Sequence, residues 1–258
     1  MMPTNFPAAS ENNGIYLCAL AGIGTAPGFM GEFHQELAGR IAAATGLPVE
    51  GGLLYPYGEW SRSVRRQIWE VWRDIRLPAG AWEGSLGVAA VRRELEPAAR
   101  GSGPVVLVGH SGGGTAAVHA AAMLRAAAPE RPVAVVQIGS PRSPVPPGLR
   151  EATVYCFACG PGGRGRDPVC RLGSWRAARG RGGRLGLGRL LLPGQLVALP
   201  IAGRHPDYFR GHLRTAGGES NLELVLDTVE SHIRGLWPQL FGAEAGGSDE
   251  QHGSDAQT

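Results

Sequence analysis

No lysine occurs in the 258 residues, so all 25 basic side chains are arginine. Against 22 acidic residues they leave a formal charge of +3 and a pI near 8.9. That surplus is too mild to indicate an anionic partner by itself. The arginine bias reads as the codon usage of a GC-rich genome, and no nucleic-acid partner is expected. No apolar run approaches the length of a membrane span. The first 14 residues lack the basic n-region and apolar h-region of a secretory signal. The default expectation is therefore a soluble cytoplasmic protein. Cysteine is scarce: Cys18, Cys156, Cys159 and Cys170. Cys156 and Cys159 form a C-x-x-C, but a zinc site would need a second pair or histidines at ligand spacing, and neither is present. A redox pair should open a helix, whereas this one falls in the apolar run Thr153–Ala158. Small buried thiols in a reducing compartment are expected, and no metal or organic cofactor. Internal repeats are absent.

What the chain does have is alternation. Hydrophobic residues make up 43% and charged residues 18%, an ordinary globular balance. Short apolar runs at 15–21, 48–54, 105–108, Val133–Ile138, Thr153–Ala158 and 195–201 read as strands. Between them lie helical patterns. Residues 32–44 place Phe33, Leu37 and Ile41 four apart; 61–75 place Val64, Ile68, Trp72 and Ile75 on one face. Further helices are expected at 87–100, at the alanine-rich 112–128 and at Asn221–Leu236. Buried strands separated by helices predict an α/β fold: a doubly wound, mainly parallel sheet of about six strands, flanked by helices. One domain is expected over 15–241, after a flexible segment 1–14 and before a polar, disordered tail 242–258. Two stretches, 55–85 and 160–194, are candidate lids. The second is dense in Gly and Arg and ends in a leucine-rich run.

The chemistry centres on Gly109-His110-Ser111-Gly112-Gly113. A serine at a sharp strand-to-helix turn is held in a strained conformation with its hydroxyl exposed, and small residues two before and two after it avoid backbone clashes. Residues 105–108 supply the strand and 112–128 the helix. The alternative is a tight glycine-rich turn without chemistry. A serine hydroxyl needs a histidine base, and the histidine needs a carboxylate to fix its tautomer. Asp167 is the sole acid between Gly160 and Leu192, and Pro168 restricts it; a plain ion pair with Arg164 or Arg166 is its other reading. His205 follows the last strand, with His212 as rival base. His110 should point away from the site and support or pack. Two backbone N–H groups are needed for an oxyanion: Gly112 gives one, and Ile23 or Gly24, in the loop Gly22-Ile23-Gly24-Thr25, the other.

These segments resemble the α/β-hydrolase superfamily, and within it small lipase- and esterase-like proteins of Gram-positive bacteria that lack the first two strands. The resemblance is carried by Val108-Gly109-His110-Ser111-Gly112-Gly113-Gly114, Ile138-Gly139-Ser140-Pro141-Arg142, the run from Asp167-Pro168-Val169-Cys170 to Trp175, and Gly203-Arg204-His205-Pro206-Asp207-Tyr208-Phe209-Arg210. It implies a triad of Ser111, Asp167 and His205, acting on a small-molecule acyl ester or thioester through an acyl-enzyme. Acyl transfer by the same triad, or a non-catalytic binding module on the same fold, are the alternatives. Trp60, Trp69, Trp72 and Trp82 sit among Arg62, Arg65, Arg66, Arg73 and Arg76. They read either as an aromatic lid or as a helix with tryptophans on the core and arginines in water; Trp72 is expected in the core. The arginines from 164 to 189 read as a solvated loop, with an anionic-headgroup or nucleic-acid site as the alternative.

Overall fold

All six apolar runs are strands: β1 (Ile15–Leu20), β2 (Val49–Leu54), β3 (Val105–His110), β4 (Val133–Ile138), β5 (Thr153–Ala158) and β6 (Gln195–Leu199). They form one sheet in the order β2-β1-β3-β4-β5-β6, and every neighbouring pair is parallel. The computed structural model describes residues 14–176 and 189–242. Expectations for 1–13, 177–188 and 243–258 lie outside the described residues. Parallel neighbours cannot be joined by tight turns, so the connections between them carry helices or long loops. The helices are α1 (Gly31–Thr45), α2 (Val64–Ile75), α3 (Leu86–Val91), α4 (Glu96–Arg100), α5 (Gly112–Ala127) and α6 (Asn221–Leu236).

The sheet order sets where a site can form. β1 hydrogen-bonds to β2 on one side and to β3 on the other. The chain therefore leaves β1 in one direction and β3 in the opposite one. In open α/β sheets the region beyond the carboxyl ends of two such strands is where ligands bind.

Strand alternation splits the core in two. Val106 and Val108 of β3 face a layer built with Phe33, Leu37 and Ile41 of α1 and with α6. Val105 and Leu107 face α3 and α5. Each buried aliphatic or aromatic side chain of this kind stabilises by about 2 kcal/mol. α5 is buried on every side from Gly112 to Leu124, which is why its sequence is alanine and glycine rather than amphipathic. Ser220 starts α6 with a reciprocal cap: its hydroxyl accepts from Glu223 N–H at 3.1 Å, and Glu223 returns the bond at 3.1 Å.

Two helical expectations are corrected. The single helix at 87–100 is two, α3 and α4, with Pro97 in the first turn of the second. Proline has no N–H to give and clashes with the carbonyl four residues back, so the first helix cannot run through it. The larger correction concerns α2. Val64, Ile68 and Trp72 are exposed, and only Ile75 of the expected core face is buried. The inward face instead carries Gln67, Glu70, Val71, Asp74 and Ile75.

Polar partners explain this inversion. Asp74 is fully buried and receives four bonds: Tyr57 Oη at 2.9 Å, Ser85 Oγ at 2.7 Å, and the N–H groups of Leu86 and Gly87 at 2.9 Å each. Its carbonyl accepts from His119 Nε2 on α5 at 3.1 Å. Glu70 accepts Arg62 at 2.7 and 3.0 Å and Arg66 at 3.2 Å. A buried donor left without a partner costs about 1–3 kcal/mol. Asp74→Ala orphans several at once, so a loss of about 3 kcal/mol or more is expected in urea unfolding, whereas the exposed Ile68→Ala should change stability by less than about 0.5 kcal/mol.

Candidate active site

β3 delivers Ser111 to the carboxyl end of the sheet in a strained conformation. Its φ is 55° and its ψ −129°, and it is the one non-glycine residue with positive φ among the described residues. Such backbone costs about 1–3 kcal/mol and persists only where the surroundings enforce it. Here Ser111 N–H donates to Ile138 O at 3.0 Å, and Ser111 O accepts from Gly114 N–H at 3.1 Å. Contact distances show why the flanking residues are glycines. A Cβ on Gly109 would run into the Gly113 carbonyl, and one on Gly113 into the Leu20 carbonyl. Gly22, just after β1, passes so close that a Cβ there would lie 2.6 Å from Ser111 Cβ and 3.2 Å from its Oγ. The loop after β1 is thus laid directly against the serine.

Asp167 and His205 come together from separate loops. Asp167 follows β5 and His205 follows β6, and His205 Nδ1 lies 2.7 Å from Asp167 Oδ2. Because a carboxylate only accepts, the proton of this bond is carried by Nδ1. Asp167 Oδ2 also accepts from Tyr208 Oη at 2.9 Å, and Oδ1 from Val169 N–H at 2.9 Å. Burial pushes the Asp167 carboxyl up, but these donors and the charge of His205 outweigh it and hold it below the ordinary value. Tyr208 Oη in turn accepts from Ala158 N–H at 2.7 Å, so the tyrosine ties the acid to the end of β5. Gly139, with φ of 56°, leaves the room: a Cβ there would sit 2.7 Å from the Tyr208 ring and 3.0 Å from Asp167 Oδ2.

The histidine loop is pinned from two sides. Asn221, the first residue of α6, exchanges bonds with Ala202 at 2.8 and 2.7 Å and donates to Asp207 O at 2.8 Å. His110 Nε2 donates to the His205 carbonyl at 3.2 Å, and the two imidazoles stack with centroids 4.8 Å apart. His205 therefore lies over His110, the residue before Ser111 in the chain. Among the described residues no hydrogen bond joins Ser111 Oγ to the His205 ring. Bonds between nucleophile and base are often long without substrate and tighten in the complex.

Of the expected oxyanion donors, Gly24 is already engaged: its N–H donates to Gln67 Oε1 at 2.8 Å. Gly112 N–H, at the first turn of α5, has no acceptor within its own helix, and neither it nor Ile23 N–H is hydrogen-bonded among the described residues. Gln67 is anchored by its amide to Glu59 O at 2.8 Å and Arg62 O at 3.2 Å. α2 thus fixes the β1 loop, and its Val71 lies against Gly112, where a Cβ would approach to 2.7 Å.

Ser111, Asp167, His205, Ile23 and Gly112 all come to the carboxyl end of the sheet. His212 lies exposed and bonds to none of them. Arg166 reaches Gly203 O at 2.7 Å rather than Asp167. Trp60, Trp69 and Trp72 are exposed, and Trp82 is partly packed on the core. Sequence reasoning missed Tyr208, Asn221 and Gln67, which bond to Asp167, to the loop of His205 and to the loop after β1. Their only signal was polarity inside otherwise apolar or helical patterns. All four cysteines are free and buried. Among the described residues no three His, Cys, Asp or Glu side chains cluster as metal ligands, and no helix is long and apolar enough to cross a membrane.

No protein-family model matches the chain, and neither does any curated protein. Among solved structures it is similar to "a novel cutinase-like protein from Cryptococcus sp.", at 16% identity over 92% of this chain and 100% of that one, with a TM-score of 0.41. The fold is read from the sheet itself, and a likeness of that degree carries no residue roles to this chain.

Buried His110 gives the site an acid limit. Burial, with His205 adding to it, lowers its imidazole from 6.5 to about 3. Between those values the unfolded chain binds the proton and the folded one does not, so stability falls as pH drops from about 6.5 towards 3. The slope due to this residue is about 1.4 kcal/mol per pH unit. In His110→Asn the pH dependence of unfolding free energy, measured by urea titration from pH 7 to 4, should lose about one proton's worth of slope.

Proposed function

We propose that the protein is a serine hydrolase of the α/β-hydrolase type that cleaves a small-molecule ester or thioester through an acyl-enzyme. The observation that supports this reading is the strained Ser111, next in the chain to His110, on which the His205 of the Asp167–His205 pair is stacked, at the sheet's topological switch. In this mechanism His205 Nε2 takes the proton of Ser111 Oγ as the oxygen attacks the acyl carbon. The oxyanion is received by the N–H groups of Gly112 and Ile23. The tetrahedral intermediate collapses, the bond to the alcohol or thiol breaks, and His205 returns its proton to the leaving group. Water then repeats the sequence on the acyl-enzyme and frees the acid. Asp167 holds the tautomer of His205 and offsets the positive charge that forms on it.

The acyl acceptor in the second half-reaction is water; an added alcohol or hydroxylamine that diverts product in preference to water would make the protein an acyltransferase with the same triad. A cytoplasmic location, where free buried thiols such as these stay reduced, belongs to the same proposal.

Labelling with a fluorophosphonate should modify wild type and leave Ser111→Ala untouched. On a p-nitrophenyl or thioester panel, Ser111→Ala and His205→Ala should each lower kcat by about 10⁵–10⁶, and Asp167→Asn by about 10⁴. Wild type that neither labels nor turns over any panel ester, like Ser111→Ala, would instead describe a non-catalytic binding module. Gln67→Ala should lower kcat by about tenfold to a hundredfold with little change in KM, because it frees the loop carrying Ile23.

A further inference from the structure

The outer face of α2 is the surface feature that the chemistry at Ser111 leaves unused. Trp60 is 65% exposed, Trp69 54%, Ile68 51%, Val64 47% and Trp72 42%. At about 100° per residue, Val64, Ile68 and Trp72 form one stripe, with Arg65, Arg76 and Trp69 extending it and Arg66 and Arg73 along its border. The helix is turned inside out: both of its acids, Glu70 and Asp74, are buried. Arg62 and Arg66 pair with Glu70. Among the described residues Arg65, Arg73 and Arg76 have no ion-pair partner; Arg73 stands over the Trp69 ring at 5.1 Å and Arg76 over Trp72 at 4.1 Å. The exposed face of the helix is therefore apolar, aromatic and cationic, with no negative charge on it.

We propose that this face of α2 docks onto an anionic lipid surface. Tryptophan places an apolar ring and a polar N–H at the headgroup boundary, aliphatic side chains enter the acyl region, and arginines pair with headgroup phosphates. Among the described residues no helix can cross a bilayer, so the helix lies on the surface. A second copy of the chain is a poor occupant. A two-fold interface presents the same patch to itself, and arginines would meet arginines without an acid between them. Residues 177–188 of this chain add arginine and no acid, so they supply no counter-charge. Single-stranded nucleic acid would stack on the tryptophans, but Val64 and Ile68 have no partner there.

The inference does not depend on catalysis, and its test is separate from that of Ser111. Full-length protein is sedimented with vesicles of phosphatidylcholine alone and with 30% phosphatidylglycerol, at low and high salt. Binding to the anionic vesicles, a blue shift of tryptophan emission, and a loss of at least tenfold with neutral vesicles are expected. Each arginine near the surface contributes about fivefold, so Arg65→Gln/Arg73→Gln/Arg76→Gln should weaken binding by about a hundredfold. Trp69→Ala/Trp72→Ala should weaken it at least tenfold. The exposed Arg92→Gln/Arg93→Gln removes charge elsewhere and should bind within about twofold of wild type. Ser111→Ala should bind as wild type does. Circular dichroism melting checks that each variant is folded. Absence of vesicle binding, or binding equally strong in the α2 arginine variant, overturns the proposal. So does self-association in sedimentation equilibrium that Trp69→Ala/Trp72→Ala abolishes, or tighter binding to a single-stranded oligonucleotide than to the vesicles.

Discussion

Four donors converge on the buried carboxylate of Asp74, and the placement of α2 follows from that convergence. Taking a carboxylate out of water is tolerable only when its oxygens are satisfied. Tyr57, Ser85 and the first turn of α3 satisfy them, and His119 bonds the carbonyl of the same residue. With Asp74 fixed, the residues one and two turns before it, Glu70 and Gln67, must also face inward. Gln67 then meets the loop after β1, and Val71 meets Gly112. One polar hub therefore sets both what α2 offers the site and what it is forced to leave in solvent.

The site shows the same logic on a smaller scale. Ser111 sits in a costly conformation because glycines on three sides let backbone close around it. Asp167 is oriented by His205, Val169 and Tyr208 together, so its carboxylate has little freedom to turn towards the nearby arginines. His205 is held through its backbone, by His110 below and by Asn221 through neighbouring residues. Its ring is held separately, by Asp167 at Nδ1 and by stacking on His110. A constellation built from four loops gains its precision from such supports.

Alternation of apolar runs and helical patterns was enough to place all six strands and the main helices, because each signal is local. Ser111, Asp167 and His205 could be singled out as candidates for a similar reason: the turn after a strand, a lone acid in a long loop and a histidine after the last strand are patterns along the chain. The helix at 87–100 was misread because Pro97 acts on the backbone rather than on the hydrophobic period. Gly24 was offered as a donor because nothing in its neighbourhood shows that Gln67, 43 residues away, occupies its N–H.

The sequence by itself determined the sheet, the tight strand-to-helix turn at residue 111 and the order in which Asp167 and His205 follow it, since periodicity and turn chemistry are written in neighbouring residues. Tertiary structure decided which way α2 faces. By period alone, Val64, Ile68 and Trp72 belong in a core. They are exposed because satisfying Asp74, Glu70 and Gln67 with partners drawn from distant loops outweighs burying three side chains at about 2 kcal/mol each. Such a balance depends on groups brought together only by folding.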